Sequence, residues 1–372
     1  MNILVTGAGG FVGKNLVAEL KNRNIGTVFE YDRDSSADEL DKYTEECDFV
    51  FHLAGVNRPE SEDEFMEGNF GFTDVLLNSL KKHSNKAPVL ITSSIQAELD
   101  NPYGKSKKAG EDLLFAYSQD TGARVYVYRL QNVFGKWCRP NYNSAVATFC
   151  NNIACDLPIK VNDPSVVMKL VYIDDVVNEF INALNGKANI IDSYAAIPTV
   201  HTVTLGRIVE IITGFKECRK KLQVPDFSDE FEKKLYSTYL SYLPKNDFAY
   251  KLDMHVDERG SFTEFIRTND RGQVSVNISK PGITKGNHWH HTKNEKFLVV
   301  KGKGLISFRK YGEEEIIDYH VNGDELMVVD IPTGYTHSIT NEGDEDMVTV
   351  MWANEAFDPE KPDTYFLKVR ND

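Results

Sequence analysis

The fold of the N-terminal half is decided by residues 2–13, NILVTGAGGFVG, in which an apolar run passes directly into a glycine-rich turn. We expect Asn2–Thr6 to form a buried strand and the segment Gly7–Gly13 that follows it to open a helix. Glycine permits the tight turn and lets the backbone approach a pyrophosphate, which the helix N-terminus then faces. The predicted dinucleotide contacts in this turn are Gly7, Gly10, Phe11, Val12 and Gly13.

Similar apolar runs recur over the first 130 residues and alternate with amphipathic stretches. Short runs rich in Val, Ile, Leu and Phe are typical of strands buried on both faces of a parallel sheet. Their alternation with helices predicts a doubly wound α/β domain of the Rossmann type. The predicted strands are Asn2–Thr6, Thr27–Tyr31, Phe49–Leu53, Val89–Ser93 and Val125–Leu130.

The pattern becomes more helical between residues 140 and 243, and an apolar stripe recurs there at three- and four-residue spacing. Such a stripe is more typical of core packing than of a binding face. Pro244 ends it, so the first domain is predicted to cover 1–243, with a linker near Pro244–Tyr250. The stripe consists of Phe227, Phe231, Leu235, Tyr239 and Tyr242.

Residues 250–372 form the second predicted domain, in which short β-rich runs alternate with glycine-rich turns. This pattern predicts a small antiparallel barrel or sandwich. The predicted strands are Gln273–Ser279, Phe297–Val300, Gly304–Phe308, Glu325–Asp330 and Met347–Trp352.

Composition excludes several classes of protein. A chain of 372 residues favours two domains over one core. The net charge of -14 argues against non-specific nucleic-acid binding. No apolar run reaches the roughly 18–20 residues of a membrane span, and nothing after Met1 resembles a signal peptide, so we expect a cytoplasmic protein without membrane insertion. The five cysteines form no Cys-x-x-Cys pair and are expected to be reduced thiols.

A second chemical pattern follows the fourth predicted strand. Ser93 and Ser94 end this strand, and Tyr103 and Lys107 lie four apart, on one face of a helix. A phenol with a pKa of about 10 is a poor acid at neutral pH. A neighbouring lysine ammonium lowers that pKa toward the working range, and a serine hydroxyl can hold the reacting carbonyl. We predict Ser94 as that serine, with Ser93 as the alternative.

A third pattern lies in the C-terminal domain, spaced as Gly-x5-His-x-His-x4-Glu-x6-Gly and followed by Pro-x-Gly-x2-His-x3-Asn. Two histidines two apart on a strand point to one face. Three imidazoles and a carboxylate suit Zn, Fe, Mn, Ni or Cu, so the ligand types leave the metal open. The candidate ligands are His288, His290, Glu295 and His337.

The N-terminal motifs together resemble the extended short-chain dehydrogenase/reductase family, which includes nucleotide-sugar epimerases and reductases. The resemblance implies that Tyr103 is the general acid toward a sugar carbonyl, that Lys107 binds the nicotinamide ribose, and that Ser94 orients the carbonyl oxygen. One departure is the connection of only eight residues between Ser94 and Tyr103, where the family has a longer loop. The further matching segments are Asp48–Gly55, Asn69–Thr73, Arg129–Gly135 and Val171–Val176.

The choice between NAD and NADP depends on charged side chains. Asp32, near the end of the second strand, could accept the ribose hydroxyls of NAD. Arg33 and Arg58 could instead meet the 2′-phosphate of NADP. We predict NADP(H), with NAD as the alternative, and place Leu53 and Ala54 beside the adenine. The predicted substrate contacts are Asn132, Arg58 and Arg139.

The C-terminal pattern resembles the cupin fold, with both of its sequence motifs present. This implies one divalent metal, zinc foremost, held by the four candidate ligands. Asp257–Glu264 resembles the opening of the sugar 3,5-epimerase branch of cupins. For an epimerase, metal or nearby donors would stabilise an enediolate. The candidate bases are His290, His337, Lys280 and Tyr335.

The whole chain resembles bifunctional enzymes of capsular polysaccharide and O-antigen synthesis. The resemblance implies C3 epimerisation of a UDP-4-keto-6-deoxy-2-acetamido sugar by the cupin. NADPH-dependent C4 reduction to UDP-2-acetamido-2,6-dideoxy-L-talose, a precursor of UDP-N-acetyl-L-fucosamine, would follow. It also implies a homodimer joined through cupin strands. The alternatives are a UDP-sugar reductase whose cupin only supports structure or binds sugar, and a nicotinamide-sensing protein without turnover.

Overall fold

The computed structural model describes residues 1–268 and 270–370, and contacts group these residues into two compact units. The N-terminal unit comprises residues 1–213 and 230–244. The C-terminal unit comprises residues 214–229 and the described residues from 245 onward. Among the described helices, none combines the length and the hydropathy that crossing a bilayer requires.

The N-terminal unit is built on a mainly parallel sheet, as the alternating pattern predicts. The positions of its first five strands confirm the sequence prediction to within one residue. The strands are β1 (Asn2–Thr6), β2 (Thr27–Tyr31), β3 (Phe49–His52), β4 (Val89–Ser94), β5 (Val125–Leu130), β6 (Asn132–Phe134), β7 (Val167–Tyr172), β8 (Ile190–Ile191), β9 (Tyr194–Ala195) and β10 (His201–Thr204).

The large sheet has the order β2-β1-β3-β4-β5-β9-β8, and every pair in it is parallel except β8 with β9. Strands β10, β7 and β6 form a separate small sheet in that order. From β1 the chain adds β2 on one side of the sheet and then β3, β4 and β5 on the other, so the strand order reverses between β1 and β3. In open α/β sheets, ligands bind beyond the carboxyl ends of the strands at such a switch point.

Helices cover both faces of the large sheet. A π-helical turn at Met66–Gly71 and 3₁₀ turns at Ile95–Glu98 and Lys245–Asp247 add to them. The α-helices are α1 (Phe11–Asn22), α2 (Ala37–Glu46), α3 (Asp63–Phe65), α4 (Phe72–Lys82), α5 (Pro102–Thr121), α6 (Ala145–Ala154), α7 (Ile173–Leu184), α8 (Leu205–Lys220) and α9 (Glu230–Leu240).

The two faces of β1 explain why the sheet needs two helical layers. Ile3 and Val5 are buried in one apolar cluster with residues of α1 and α7. Leu4, between them, is buried in a second cluster with residues of α2, α4 and α5. Because successive side chains of a strand point to opposite faces, a fully apolar strand must be covered twice. Each such side chain contributes roughly 1.5–3 kcal/mol through its burial.

The predicted apolar stripe forms a shorter helix than its spacing indicated. Helix α9 begins at Glu230, so Phe227 lies before it and is exposed. The side chain of Asp226 accepts a hydrogen bond of 2.8 Å from the backbone N–H of Ser228. This local turn competes with helix formation and delays the start of α9.

The C-terminal unit contains two antiparallel sheets, which confirms the prediction of an all-antiparallel β region. The first has the order β11-β12-β13-β20-β15-β18, and the second has the order β17-β16-β19-β14-β21. The strands are β11 (Met254–Asp257), β12 (Gly260–Thr268), β13 (Gly272–Ser279), β14 (Thr284–Trp289), β15 (Glu295–Lys301), β16 (Lys303–Lys310), β17 (Ile316–Asn322), β18 (Val328–Ile331), β19 (Tyr335–Asn341), β20 (Met347–Ala353) and β21 (Tyr365–Phe366).

One apolar cluster joins the two sheets of this unit, with Phe297 from β15 and Ile306 from β16 among its buried residues. The predicted strand Glu325–Asp330 was wrong at its start, because β18 begins only at Val328. The side chain of Asn322 accepts hydrogen bonds from the N–H groups of Asp324 and Glu325, at 2.9 and 2.8 Å. This turn occupies the backbone that a longer strand would need.

Candidate active site and metal centre

The glycine-rich turn connects β1 to α1 as the sequence predicts. Gly7 has a φ of +69°, and a Cβ there would lie 2.7 Å from the backbone nitrogen of Ala54, so the position requires glycine. Gly10 is the N-cap of α1, and no capping side chain and no acidic residue occupies the first turn of that helix. The N–H groups at this helix start are therefore suited to bind an anion.

Asp32 closes the turn from the end of β2. Its carboxylate accepts a hydrogen bond from the N–H of Gly9 and another, of 3.3 Å, from the N–H of Arg33. Asp32 and Arg33 are both exposed. Leu53 and Ala54 follow β3 and are partly buried next to the turn. The structure thus brings the predicted cofactor contacts to one edge of the sheet, as a dinucleotide site requires.

The predicted catalytic residues converge at the end of β4. The side chain of Ser94 lies close enough to that of Tyr103 to lower the pKa of the phenol. The Nζ atom of Lys107 lies 5.9 Å from the centre of the Tyr103 ring and donates a hydrogen bond of 3.3 Å to the carbonyl of Thr92. The arrangement places a hydroxyl, a phenol and an ammonium around one point, the grouping that proton transfer to a carbonyl oxygen requires.

The short connection between these residues is spanned by two capped turns. The Oγ of Ser94 accepts a hydrogen bond of 3.2 Å from the N–H of Gln96, which starts the 3₁₀ turn. Asn101 then caps α5, because its side chain accepts a hydrogen bond of 2.7 Å from the N–H of Gly104. Pro102 occupies the first helical position, where its missing N–H costs nothing. A connection of eight residues is therefore long enough.

Burial changes the protonation of both catalytic candidates. Burial raises the pKa of Tyr103, and the side chain of Ser94 opposes that rise only in part. Burial also lowers the pKa of Lys107 to about 8, against a smaller opposing effect from Glu111. We expected Lys107 to lower the pKa of Tyr103, but in the protein alone burial has the larger effect and Ser94 supplies the opposing one.

The structure also separates the two serine candidates. The Oγ of Ser93 donates a hydrogen bond of 2.5 Å to Glu111, on the side away from Tyr103. Glu111 is fully buried and also receives hydrogen bonds from Arg129, at 2.7 and 2.9 Å, and from Tyr194, at 3.2 Å. This buried network joins β4, α5, β5 and β9 directly behind the Ser94 site. Sequence reasoning missed Glu111, although it lies one helical turn beyond Lys107 on the same face.

The predicted substrate contacts separate into two locations. Arg58 and Arg139 both contact Tyr142, with their guanidinium carbons 5.6 and 5.2 Å from its ring centre. Such cation–π contacts preorganise two positive charges around one ring. Both arginines are exposed, so they can still bind an anion. Asn132 lies in β6, where its side chain donates a hydrogen bond of 3.3 Å to the carbonyl of Lys169.

The four metal-ligand candidates converge in the C-terminal unit. One ligand atom from each of His288, His290, Glu295 and His337 lies within 4.8 Å of all the others. Strand β14 pairs with β19 so that His288 stands opposite His337, while His290 follows β14 and Glu295 begins β15. Two consecutive strands with their connection, and the more distant β19, therefore supply one cluster.

The chemistry of this cluster fits a divalent metal ion. His290 and His337 are each 1% exposed, and their Nε2 atoms lie 3.4 Å from Glu295 Oε2. None of these three atoms has a hydrogen-bond partner of suitable geometry among the described residues. Buried polar atoms without partners cost free energy, and a shared cation would satisfy all three.

Protonation in the cluster also fits metal binding. Burial, together with the neighbouring His337 and His290, lowers the pKa of His288 to about 4. Burial opposes ionisation of Glu295, but His290 and His337 outweigh it and lower the pKa of this carboxyl. At neutral pH the cluster therefore combines a neutral His288 with an ionised Glu295, and metal binding requires ligands in these forms.

A cavity of about 590 Å³ opens onto three of these ligands. Its described lining includes Lys285 but neither Lys280 nor Tyr335, which were candidate bases in the sequence. Lys280 instead forms an ion pair of 2.7 Å with Asp346. Other polar lining residues are His255, Asp257, Arg259 and Asn277.

A β-bulge explains why the sequence missed Lys285. Lys285 and His288 are three apart and would face opposite sides of a regular strand. The pairing of β14 with β19 shifts between Gly286 and His288, so Asn287 is an extra residue and both side chains reach the cavity. Gly286 has a φ of +96°, and a Cβ there would lie 2.8 Å from the carbonyl of His337. In the sequence, the glycine and asparagine between Lys285 and His288 were the available signal for this bulge.

Comparison with known proteins matches both units to families. Residues 3–193 match the NAD dependent epimerase/dehydratase family. Residues 255–365 match the polysaccharide biosynthesis C-terminal domain.

Two relatives span nearly the whole chain. UDP-2-acetamido-2,6-beta-L-arabino-hexul-4-ose reductase of Pseudomonas aeruginosa is 46% identical over 369 residues, which is 99% of each chain. The crystal structure of the capsular polysaccharide assembling protein CapF from Staphylococcus aureus is 57% identical, with a TM-score of 0.95 over 99% of this chain and 100% of that chain. UDP-glucuronic acid 4-epimerase from Bacillus cereus, solved with NAD, shares the fold alone, at 20% identity and a TM-score of 0.57 over 68% of this chain and 100% of that chain.

Proposed function

Because this chain belongs to the NAD dependent epimerase/dehydratase family, we propose that its N-terminal unit is a reductase of a UDP-linked 4-keto sugar. The observation that carries the proposal is the convergence of Ser94, Tyr103 and Lys107 beside an uncapped helix start. The full-length relative from Pseudomonas aeruginosa, a reductase of a UDP-linked hexul-4-ose, supports the same substrate class.

In the proposed reduction, carbon 4 of the sugar would receive the hydride that NADPH supplies when it is bound. Ser94 holds the carbonyl oxygen, and Tyr103 donates the proton that converts it to a hydroxyl. Lys107 binds the nicotinamide ribose, and its ammonium favours the phenolate that Tyr103 becomes. Gly10 to Gly13 bind the pyrophosphate at the start of α1. NADP(H) stays the expected cofactor, with NAD as the alternative that Asp32 favours.

The C-terminal unit is proposed to be a cupin barrel that epimerises the same sugar at carbon 3. Its four ligands would hold one divalent ion, zinc foremost, which as a Lewis acid would stabilise an enediolate. The chain must remove the proton on carbon 3 and return one to the opposite face. Lys285 joins His337 as a candidate for these transfers, because both line the cavity, whereas His290 is not among its described lining residues. Epimerisation must precede reduction, since only the ketone acidifies the neighbouring C–H bond.

The overall product of the two steps would be UDP-2-acetamido-2,6-dideoxy-L-talose, a precursor of UDP-N-acetyl-L-fucosamine for capsular polysaccharide. The solved relative from Staphylococcus aureus, a capsular polysaccharide assembling protein, supports this assignment. We also expect a homodimer joined through cupin strands, which sedimentation would test.

The deciding experiment is NMR of the UDP-4-keto-6-deoxy-2-acetamido sugar incubated with the protein in deuterium oxide without nicotinamide cofactor. Deuterium at carbon 3, beyond the level in a sample without protein, is the expected result for an epimerase that acts first. Absence of exchange, together with NADPH consumption on the same substrate, would leave a reductase with a structural or sugar-binding cupin. Absence of both activities would overturn the proposed function.

A further inference from the structure

A C-terminal segment, residues 362–369, runs beside β14, the strand that carries His288 and leads into His290. Strand β21 pairs with β14, with Phe366 opposite His288 and Tyr365 opposite Trp289. The N–H of Leu367 donates a hydrogen bond of 2.9 Å to the carbonyl of Asn287. The bulged end of β14 therefore pairs with β19 along one edge and with this segment along the other.

Asp363 in this segment contacts the ligand region through both its backbone and its side chain. Its carbonyl oxygen lies 2.5 Å from Nδ1 of His290. Its carboxylate accepts hydrogen bonds from three consecutive backbone N–H groups, those of His291, Thr292 and Lys293, at 3.0, 2.9 and 2.8 Å. The hydroxyl of Thr292 adds a fourth hydrogen bond of 3.1 Å.

The backbone contact determines the tautomer of His290. A carbonyl oxygen can only accept, so Nδ1 of His290 must carry the proton. The other ring nitrogen, Nε2, then presents a lone pair toward Glu295 and His337, from which a metal ion could accept it. A histidine ligand whose second nitrogen is held in this way has a fixed ring orientation.

The side-chain contact determines the turn between two ligands. Residues 291–294 connect His290 to Glu295, and their conformation sets the separation of those two groups. Asp363 satisfies three N–H groups of this turn at once, and its own φ of +38° is in a region that residues other than glycine rarely occupy. The hydrogen bonds around Asp363 stabilise this uncommon backbone conformation.

We propose that Asp363 is a positioning residue of the metal centre, orienting His290 through its carbonyl and the turn before Glu295 through its carboxylate. The inference rests on the proposed metal site and adds to it a residue outside the cupin sequence motifs. If Asp363 favours metal binding, then a bound metal must in turn stabilise the position of residues 362–369, because coupling between two sites is reciprocal.

The test compares Asp363→Asn with Asp358→Asn in the full-length protein, after metal removal, by zinc titration against a competing chelator. Asp358 is the matched control, because its carboxylate caps an exposed turn through the N–H of Glu360, at 2.9 Å. We expect about 10- to 100-fold weaker zinc binding for Asp363→Asn and an unchanged affinity for Asp358→Asn. Equal zinc affinity with a lower melting temperature of the metal-free Asp363→Asn protein would overturn the proposal in favour of a purely structural role.

A second measurement needs no variant and covers the case in which Asp363→Asn does not fold. Amide hydrogen exchange of residues 291–293 in the wild-type protein should be slower with zinc than without it. If these amides exchange equally fast with and without zinc, in a sample shown to contain zinc, the proposed role of Asp363 is overturned and the metal site is not. Failure of the wild-type protein to bind zinc in the titration would overturn the metal site itself and the inference with it.

Discussion

The two sites differ in how far along the chain their residues are collected. The reductase candidates come from one short stretch, residues 94–107, in which a strand end and a helix face bring them together. The metal-ligand candidates span residues 288–337 and meet only because β14 pairs with β19. Local periodicity determines the first grouping, whereas strand register determines the second. Sites of the second kind therefore contain more residues that sequence reasoning misses.

The sharpest way to separate the two sites is to remove the proton donor of the first. Tyr103→Phe should lower the rate of NADPH oxidation by about 10²–10⁴-fold, since a positioned acid contributes that much. Exchange of the carbon 3 proton in deuterium oxide should be unchanged, because we propose that the C-terminal unit carries out that step. Parallel loss of both activities would contradict two independent sites.

The reciprocal change removes the carboxylate of the metal centre. Glu295→Gln should weaken zinc binding by roughly 100-fold or more, because an anionic ligand is lost from a buried site. Elemental analysis measures the zinc content of this variant, and NMR measures its exchange of the carbon 3 proton. Glu345→Gln is the control, since Glu345 forms an exposed ion pair of 3.0 Å with Lys301. Full exchange activity in a zinc-free Glu295→Gln protein would show that the metal is not needed for epimerisation.

The buried network behind the reductase site should be essential for stability. Glu111→Gln leaves the guanidinium of Arg129 without its buried anionic partner, so we expect a loss of roughly 3 kcal/mol in the free energy of unfolding of the N-terminal unit. Asp112→Asn, at the next and exposed position, should change it by less than about 0.5 kcal/mol. Urea unfolding followed by circular dichroism measures both. Similar values for the two variants would show that the network contributes little.

The smallest expected effect is a pH dependence of cofactor binding. Lys107 has a pKa of about 8, so its ammonium predominates below that pH and the neutral amine above it. If the ammonium binds the ribose, NADPH affinity should be constant below pH 8 and fall by up to about tenfold for each pH unit above it. Lys107→Arg should remove this fall, because a guanidinium stays charged. Fluorescence titration measures the affinity, and a flat wild-type profile to pH 10 would contradict the prediction.

Much of the N-terminal unit could be predicted from local pattern. The apolar runs located β1 to β5, and the spacing of Tyr103 and Lys107 placed both on α5. The choice between Ser93 and Ser94 could not be made from sequence, because both end the same strand. It depends on Glu111, which is brought to Ser93 by the packing of α5 on the sheet.

By itself the sequence determined the element types, the glycine turn, the helix face of the reductase site and the four metal-ligand candidates. These features follow from periodicities of two and of 3.6 residues and from the spacing within short motifs, two of which supply the metal-ligand candidates. Only the tertiary structure decided that Lys285 lines the cavity and that Asp363 reaches His290. The position of Lys285 depends on a bulge that reverses the alternation of side chains along β14. The contact of Asp363 depends on a strand pairing that joins residues more than 70 positions apart. Neither local spacing nor composition carries that information, because strand register is settled by packing across the whole sheet.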